Sequence, residues 1–526
     1  MLKERSKVIS LIGIGLSVLA TIIIWRLNAQ YTPLGIISLI ACILFLLFHS
    51  EGDINLISIP IRPLVGLGIT LLLSFCTIAS AIGTNERPLT YFVLATVLVL
   101  SVLPDILCSK PRPVIAVSKV LIVALTLRWS LFFTLPGIYL GSDPLANHHI
   151  YEEIAKYGLL NSNIAGYIGM PLHHLLVASL IKAGIETRTA MMLSVGMVEA
   201  TSVIPIFLLG KDMLGYRVGL LASLLIAVDN LHVMWGWWIV AQSMGIGLFA
   251  WLLWSAMRVF HAGKWGWFIL TVVIFIAILF SHYVSAFVSL ITLAFLAVGY
   301  IVHKLLSHSK IKIMSAVLIP TLITLLLLCW FVEGHVQYLS YAVGVYNVNQ
   351  SEQKSALNVE QYRVKAFDPI QFRTLDDGIN PDNVKQLITS NVLAQVNRSG
   401  NYLYYGLAVL GLLCLLGKTK GSALAVCGIM MTATVFYLFF FKYSSPISVG
   451  RWFVFLDMIL AVLAARGVTW LCSLFKKKSL QMITMVAIVL VLSFLMITNA
   501  TASPDSPFYK AYTFQENWLT SQTQGK

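Results

Sequence analysis

Runs of about 17 to 25 apolar residues, the length an α-helix needs to cross a bilayer, recur along this chain from Val8 to Ile497. The pattern predicts spans near 8–25, 33–48, 64–82, 90–107 and 114–136. Further spans follow near 190–209, 216–233, 242–258, 265–283, 284–303, 312–333, 401–416, 421–441, 452–475 and 480–498. One stretch breaks the series. Within residues 164–184, the apolar segment from Met170 to Ala183 is only about 14 residues long and holds His173 and His174, which suits an interfacial or re-entrant helix better than a crossing. The expected fold class is an all-α polytopic membrane protein with about 15 transmembrane helices, since helices satisfy their own backbone in lipid. The first run ends at Arg26 without a small-residue cleavage site and is soon followed by another, so a retained helix is expected rather than a signal peptide.

Composition agrees. Of 526 residues, 58% are hydrophobic and 11% charged, with a mean hydropathy of +0.85. Soluble domains carry about 25% charged residues, so a wet surface of ordinary extent is ruled out, as are collagenous and disordered classes. The seven cysteines (Cys42, Cys76, Cys108, Cys329, Cys414, Cys427, Cys472) lie in or beside apolar runs with no CxxC spacing, which argues against a disulfide framework or a thiolate zinc site. A net charge of +14 would suggest nucleic acid in a soluble protein. Here the basic residues fall mostly in short inter-span loops, where they set orientation, so no nucleic-acid partner is expected.

A cytoplasmic N-terminus puts Arg62, Lys110, Arg112, Lys211, Arg217, Arg258, Lys264, Lys304, Lys310, Lys312, Lys418, Lys420 and Lys476–Lys478 inside. The C-terminal tail is then extracytoplasmic. Two outer segments are long, 137–188 and 334–400, and connections of that length in a compact protein are usually functional. The expected organisation is a four-span extension over 1–112, then a membrane core over 113–333 that includes the first outer loop. An extracytoplasmic loop over 334–400, four spans over 401–498 and a short outer tail over 499–526 complete it. The Asn-x-Ser/Thr triplets at Asn349, Asn397 and Asn499 all fall in outer segments, and no internal repeat is found.

Ionisable residues gather at one face. His148, His149, His173, His174, His232, His282 and His335 map to the outer side, with Asp143, Asp229, Lys442 and Arg451 at outer span ends. Gly141-Ser142-Asp143-Pro144 reads as a helix start with Asp143 as N-cap, Pro144 in the first helical position and Gly158 as terminator. His148/Glu152 and His149/Glu153 are i,i+4 pairs, readable as a metal or substrate site or as a solvated helix face. Arg128 and Glu199 each fall roughly 12–13 Å below an outer span end, and equal depth in hydrocarbon predicts a structural ion pair. Trp235, Trp237 and Trp238 read most simply as an interfacial aromatic belt.

An outward-ending span, then Gly141-Ser142-Asp143, then an amphipathic helix with His148 resembles the first outer loop of GT-C membrane glycosyltransferases. Thr201–Gly210, the turn Lys211–Arg217 and Val218-Gly219-Leu220-Leu221-Ala222-Ser223 look similar to the catalytic subunit of archaeal and bacterial oligosaccharyltransferases. The likeness covers roughly residues 113–300 and implies a GT-C-like core of about 11 spans. It departs from that family at Trp235-Gly236-Trp237-Trp238-Ile239-Val240-Ala241-Gln242, where a second acidic motif for a divalent metal is replaced; Asp229 is the nearest carboxylate. The family's tryptophan-rich acceptor-reading motif is not found either, and 28 residues follow Thr498. Transfer of one sugar from a polyprenyl (dolichyl or undecaprenyl) phosphate therefore fits better than transfer of a whole oligosaccharide.

The resemblance implies an inverting glycosyltransferase of the cell membrane with Asp143 as general base for an acceptor hydroxyl. The leaving phosphate needs fixed cations or donors, for which Arg451, Lys442, His282 and His148 are the candidates. Snorkelling is the plain alternative for the two basic residues. A divalent cofactor is undetermined, with Asp143, His149 and Asp229 as the ligands on offer. The expected partners are the lipid-linked sugar donor, a glycan, lipid or protein acceptor, and membrane lipids. Three rivals stay open: a lipid-linked polysaccharide polymerase or ligase using His335, Arg363 and Arg373; a transporter or flippase with a central polar cavity and interrupted helices; and a non-enzymatic protein on the same plan.

Overall fold

A computed structural model describes residues 2–27, 32–48, 62–82, 88–108, 112–134, 142–158, 170–306, 392–416, 421–441 and 450–502. The expected span near 312–333, nearly all of the 334–400 loop and most of the tail after 499 lie outside them, as do Lys442, His335, Arg363 and Arg373. Among the described residues the regular structure is helical, with no strand.

Six helices open the chain: α1 (Leu2–Leu27), α2 (Thr32–Leu47), α3 (Pro63–Ala79), α4 (Leu89–Leu100), α5 (Leu103–Leu107) and α6 (Pro113–Thr134). The helices α7 (Ser142–Tyr157) and α8 (Leu172–Lys182) follow, the latter only 11 residues long and short of a crossing. A long rod then runs from Thr187 to Leu214 as α9 (Thr187–Met191), a π turn (Met192–Gly196), α10 (Met197–Ala200) and α11 (Val203–Leu214). It is longer than the 190–209 expected, and the π turn inserts an extra residue into the helical repeat. Next come α12 (Tyr216–Val228), α13 (Asn230–Trp237), α14 (Ala241–Ala262), α15 (Trp265–Leu279) and α16 (Tyr283–Leu306). The last four are α17 (Val392–Leu416), α18 (Ser422–Phe441), α19 (Gly450–Ser473) and α20 (Lys478–Ala502).

Eight of the described helices, or nine if the bent pair α12–α13 is one span, are long and apolar enough to cross a membrane. Several shorter apolar helices accompany them, so the molecule has the character of a membrane-embedded, multi-pass helical protein. The exposure pattern fits. α1 and α3 present Leu16, Leu72 and Phe75 more than half exposed, a surface that suits acyl chains and not water. α19 is the opposite, with nearly every side chain from Trp452 to Trp470 buried among α12, α17 and α20. Small residues bring helices together where lipid supplies no hydrophobic drive. At the α11–α12 hairpin a Cβ on Gly210 would sit 2.7 Å from the Gly219 Cα, so any side chain there would push the pair apart.

The expected continuous span 216–233 is corrected by a break at Asp229, where α12 and α13 meet at 55°. The cause is local. Asp229 leaves the helical region (φ −61°, ψ 131°) and its carboxylate accepts from the backbone N–H of His232 at 3.0 Å, so an N-cap is written into the middle of an apolar run.

Candidate functional site

The end of the bundle that carries α7 collects most of the residues expected to be functional. α6 leads up to it, α7 packs on α8, and the Leu172 N–H of α8 donates to the Phe280 carbonyl in the turn between α15 and α16. The Tyr283 N–H at the start of α16 points at the Met170 sulfur, 3.1 Å away. His282 sits in that turn, buried, with Nδ1 3.1 Å from the Ser285 hydroxyl. Gly245 in the first turns of α14 packs directly against Ser285 and the His282 Cβ. One turn earlier, Gln242 Nε2 donates to the Arg451 carbonyl, 3.3 Å away at the start of α19. The first turn of α14 thus ties His282 to the Arg451 end of α19.

Asp143 lies in the first turn of α7, since the helix begins at Ser142, two residues earlier than the N-cap assignment placed it. Its side chain, like that of His149, is outside what is described. The terminator is where expected: Gly158 takes φ +68° and its N–H bonds to the Ile154 carbonyl. His148 Nε2 lies 3.1 Å from Glu152 Oε1, and the same oxygen accepts from the Thr187 hydroxyl at 3.0 Å. That carboxylate therefore pins α7 to the start of α9, a packing role beyond the solvated face expected for the pair. Arg188, next in the chain, stacks its guanidinium 4.8 Å over Phe132 of α6.

Beneath α7 lies a histidine pair. His173 and His174 are fully buried with ring centroids 3.7 Å apart, and Tyr151 of α7 meets His173 edge-on at 6.1 Å and His174 at a tilt at 5.4 Å. Burial pushes His174 down to about 4, and holds His173 well below the ordinary histidine value, with His174 and His282 adding repulsion. This corner is a neutral aromatic platform at ordinary pH.

A second assembly lies deeper. The Arg128 Nε donates to Glu199 Oε2, and the two side chains are completely buried. Arg128 also donates to the carbonyls of Ala227 (3.1 Å) and Ile226 (3.3 Å), which the break after Val228 frees from the α12 ladder. The contact puts the two charges at one level of the bundle, as the ion pair expected from the sequence requires.

His232, expected at the outer side, is instead buried in this assembly, with Nδ1 3.1 Å from Glu199 Oε1 and Nε2 3.1 Å from the Val454 carbonyl of α19. Asp229 is also corrected from span end to buried cap. Among the described residues no group of three His, Cys, Asp or Glu is arranged to hold a metal ion. Asp457 of α19 is buried close by; its carboxyl group is hydrogen-bonded to Tyr405, and its carbonyl accepts from the Tyr404 hydroxyl at 3.0 Å.

The tryptophan belt is a further correction. Trp235 and Trp237 are buried inside the bundle, and Trp237 Nε1 donates to the Leu127 carbonyl at 3.0 Å. Between them a Cβ on Gly236 would come within 2.5 Å of the Arg128 stem, so the helix after the break is held against the arginine by a missing side chain. Sequence reasoning placed His232 at the surface and missed the tyrosine pair; the Asp229-x-x-His232 spacing within an apolar run was the available signal for the buried cap. Compared with known proteins, the chain matches no family model and no curated protein.

Proposed function

We propose that the protein is a GT-C-type glycosyltransferase that moves a sugar from a polyprenyl phosphate to an acceptor at the extracytoplasmic membrane face, with inversion and with Asp143 as general base. The observation that carries the reading is the convergence at one end of the bundle of α7, whose first turn bears Asp143, with buried His282 and the Arg451 end of α19. A polyprenyl-phosphate sugar keeps its lipid in the bilayer and presents its anomeric carbon at headgroup level. There a carboxylate takes the acceptor proton, while Arg451 and His282, with Lys442 nine residues before Arg451 in sequence, receive the charge that develops on the leaving phosphate. His148, paired with Glu152 within α7, is a further candidate donor to the phosphate.

Membranes containing the protein, given labelled polyprenyl-phosphate sugars and a crude acceptor pool, are expected to form labelled product with inverted anomeric configuration. Absence of transfer with every donor contradicts the proposal. A second reading, ion-coupled transport, is favoured by the broken helix at Asp229 and the buried Arg128–Glu199–His232 assembly, because interrupted helices and intramembrane charges mark transport pathways. Substrate-dependent proton uptake in proteoliposomes without sugar transfer would favour it.

A further inference from the structure

Around the break at Asp229 the bundle buries five ionisable side chains together: Arg128 of α6, Glu199 of α10, Asp229 and His232 at and just after the break, and Asp457 of α19. The Asp457 carboxyl lies within electrostatic reach of Asp229. Tyr404 and Tyr405 of α17 close the group on that side, through the Asp457 carbonyl and carboxyl respectively. One guanidinium thus faces three carboxyls. A dry interior does not sustain that imbalance, because an uncompensated buried charge is costly and the group takes up a proton instead. Donors and acceptors show where the compensating protons sit.

His232 is the first position. Its Nδ1 lies 3.1 Å from Glu199 Oε1 and its Nε2 3.1 Å from the Val454 carbonyl. Both oxygens accept. The carbonyl has no proton to give, and Glu199 already receives the Arg128 Nε on one oxygen and Nη2 on the other, as an ionised carboxylate does. A neutral imidazole has a single N–H, so the lone pair of its other nitrogen would press on an oxygen lone pair. Only the imidazolium donates to both partners.

Asp457 is the second. Its Oδ1 is buried with no hydrogen-bond partner and is closed to water. An anion there would keep part of its charge unsolvated, whereas a neutral acid leaves only one weakly polar oxygen unpaired.

We infer that this assembly is a proton-binding site that holds two protons at neutral pH, one making His232 an imidazolium and one keeping Asp457 a carboxylic acid. The charges then balance, with Arg128 and His232 against Glu199 and Asp229. The first proton also joins elements. Without it His232 turns a lone pair on either Val454 or Glu199, and α13 loses its tie to α19 or to α10. The inference holds whether the molecule transfers sugars or transports ions.

The test is spectroscopy of the full chain in phosphatidylcholine nanodiscs at pH 7. With ¹⁵N-labelled histidine, a ring with both nitrogens protonated is expected, and its signals should vanish in His232→Asn; His232→Gln serves for the assignment should that variant fold poorly. In the infrared, a carboxylic-acid C=O stretch is expected that Asp457→Asn removes. Asparagine has the shape of the neutral acid, so that variant should fold. Its thermal midpoint should rise relative to wild type as pH is raised from about 5 to about 9, because folded wild type keeps a proton that an unfolded aspartate releases near pH 4. A neutral-imidazole signature for His232, an acid region of the infrared spectrum identical in wild type and Asp457→Asn, or a midpoint difference constant across that pH range overturns the inference.

Discussion

At the residue scale the dominant fact is the price of charge in a dry interior. Arg128 and Glu199 are completely buried, and each has more than one partner: the guanidinium reaches two carbonyls freed at the helix break, and the carboxylate also meets His232. Replacing Glu199 by Ala strands the arginine, and a loss of about 3–5 kcal/mol is expected, read as a lower unfolding midpoint of the purified protein. A midpoint within a degree of wild type would contradict the assembly. Exchanging the two charges is not expected to restore stability, because a glutamate at 128 would face the Ile226 and Ala227 carbonyls. At Gly236 the constraint is volume. Gly236→Val would drive its side chain into the Arg128 stem and is expected to cost about 1–3 kcal/mol, whereas Gly68→Val, at a position with open space, should cost far less.

At the element scale, helices with a continuous apolar pattern were legible in the sequence, and the break at Asp229 was not. Hydropathy averages over a window, so one aspartate flanked by Ala227, Val228 and Leu231 does not lower the signal enough to end a helix. Its cap on His232 decides locally what the window cannot. The Arg128–Glu199 contact was legible because hydrocarbon leaves a buried charge few alternatives to a partner. The tryptophans were misread for a related reason: near a span end, a belt and a buried packing residue share one composition, and only the tilt after the break turns Trp235 and Trp237 inward. The α7–α8 corner carries its own prediction. The folded His174 ring takes up a proton only near pH 4, against 6.5 for an ordinary histidine, so the unfolded chain binds the proton first as pH falls. Stability from this ring is therefore whole above about pH 6.5 and is lost progressively toward pH 4, on the order of 3 kcal/mol in all. Unfolding midpoints between pH 7 and 4.5 should fall less steeply in His174→Phe than in wild type. Parallel profiles would show the platform to be unimportant.

At the scale of the whole molecule, the bundle has two chemically distinct ends. One gathers α7, α8, His282 and Arg451; the other carries a cavity lined by His261, Tyr300, His303 and Lys304. Both ends of α14 and α16 are described, so the assignment of sides is testable without the segments that are not. Cysteines placed at Leu176 and at Ala262 should label from opposite faces of sealed membranes, with position 176 reached from the extracytoplasmic side. Labelling of position 176 from the cytoplasm would invert the topology derived from the loop charges. The candidate site was legible in part. His282 and Arg451, both expected at outer span ends, do lie at the same end as α7. What hydropathy could not separate is depth: His232 and Asp229 belong to the buried assembly, because the chain bends before it reaches the surface.

The transferase account rests on a carboxylate at position 143 accepting the proton of an attacking hydroxyl, and a single comparison tests it most directly. Transfer from a labelled polyprenyl-phosphate sugar is measured with equal amounts of folded wild type and Asp143→Asn, a change that keeps shape and removes the base. The account predicts a fall in rate of about 10²- to 10⁴-fold with an unaltered unfolding midpoint. Equal rates from the two proteins would contradict it.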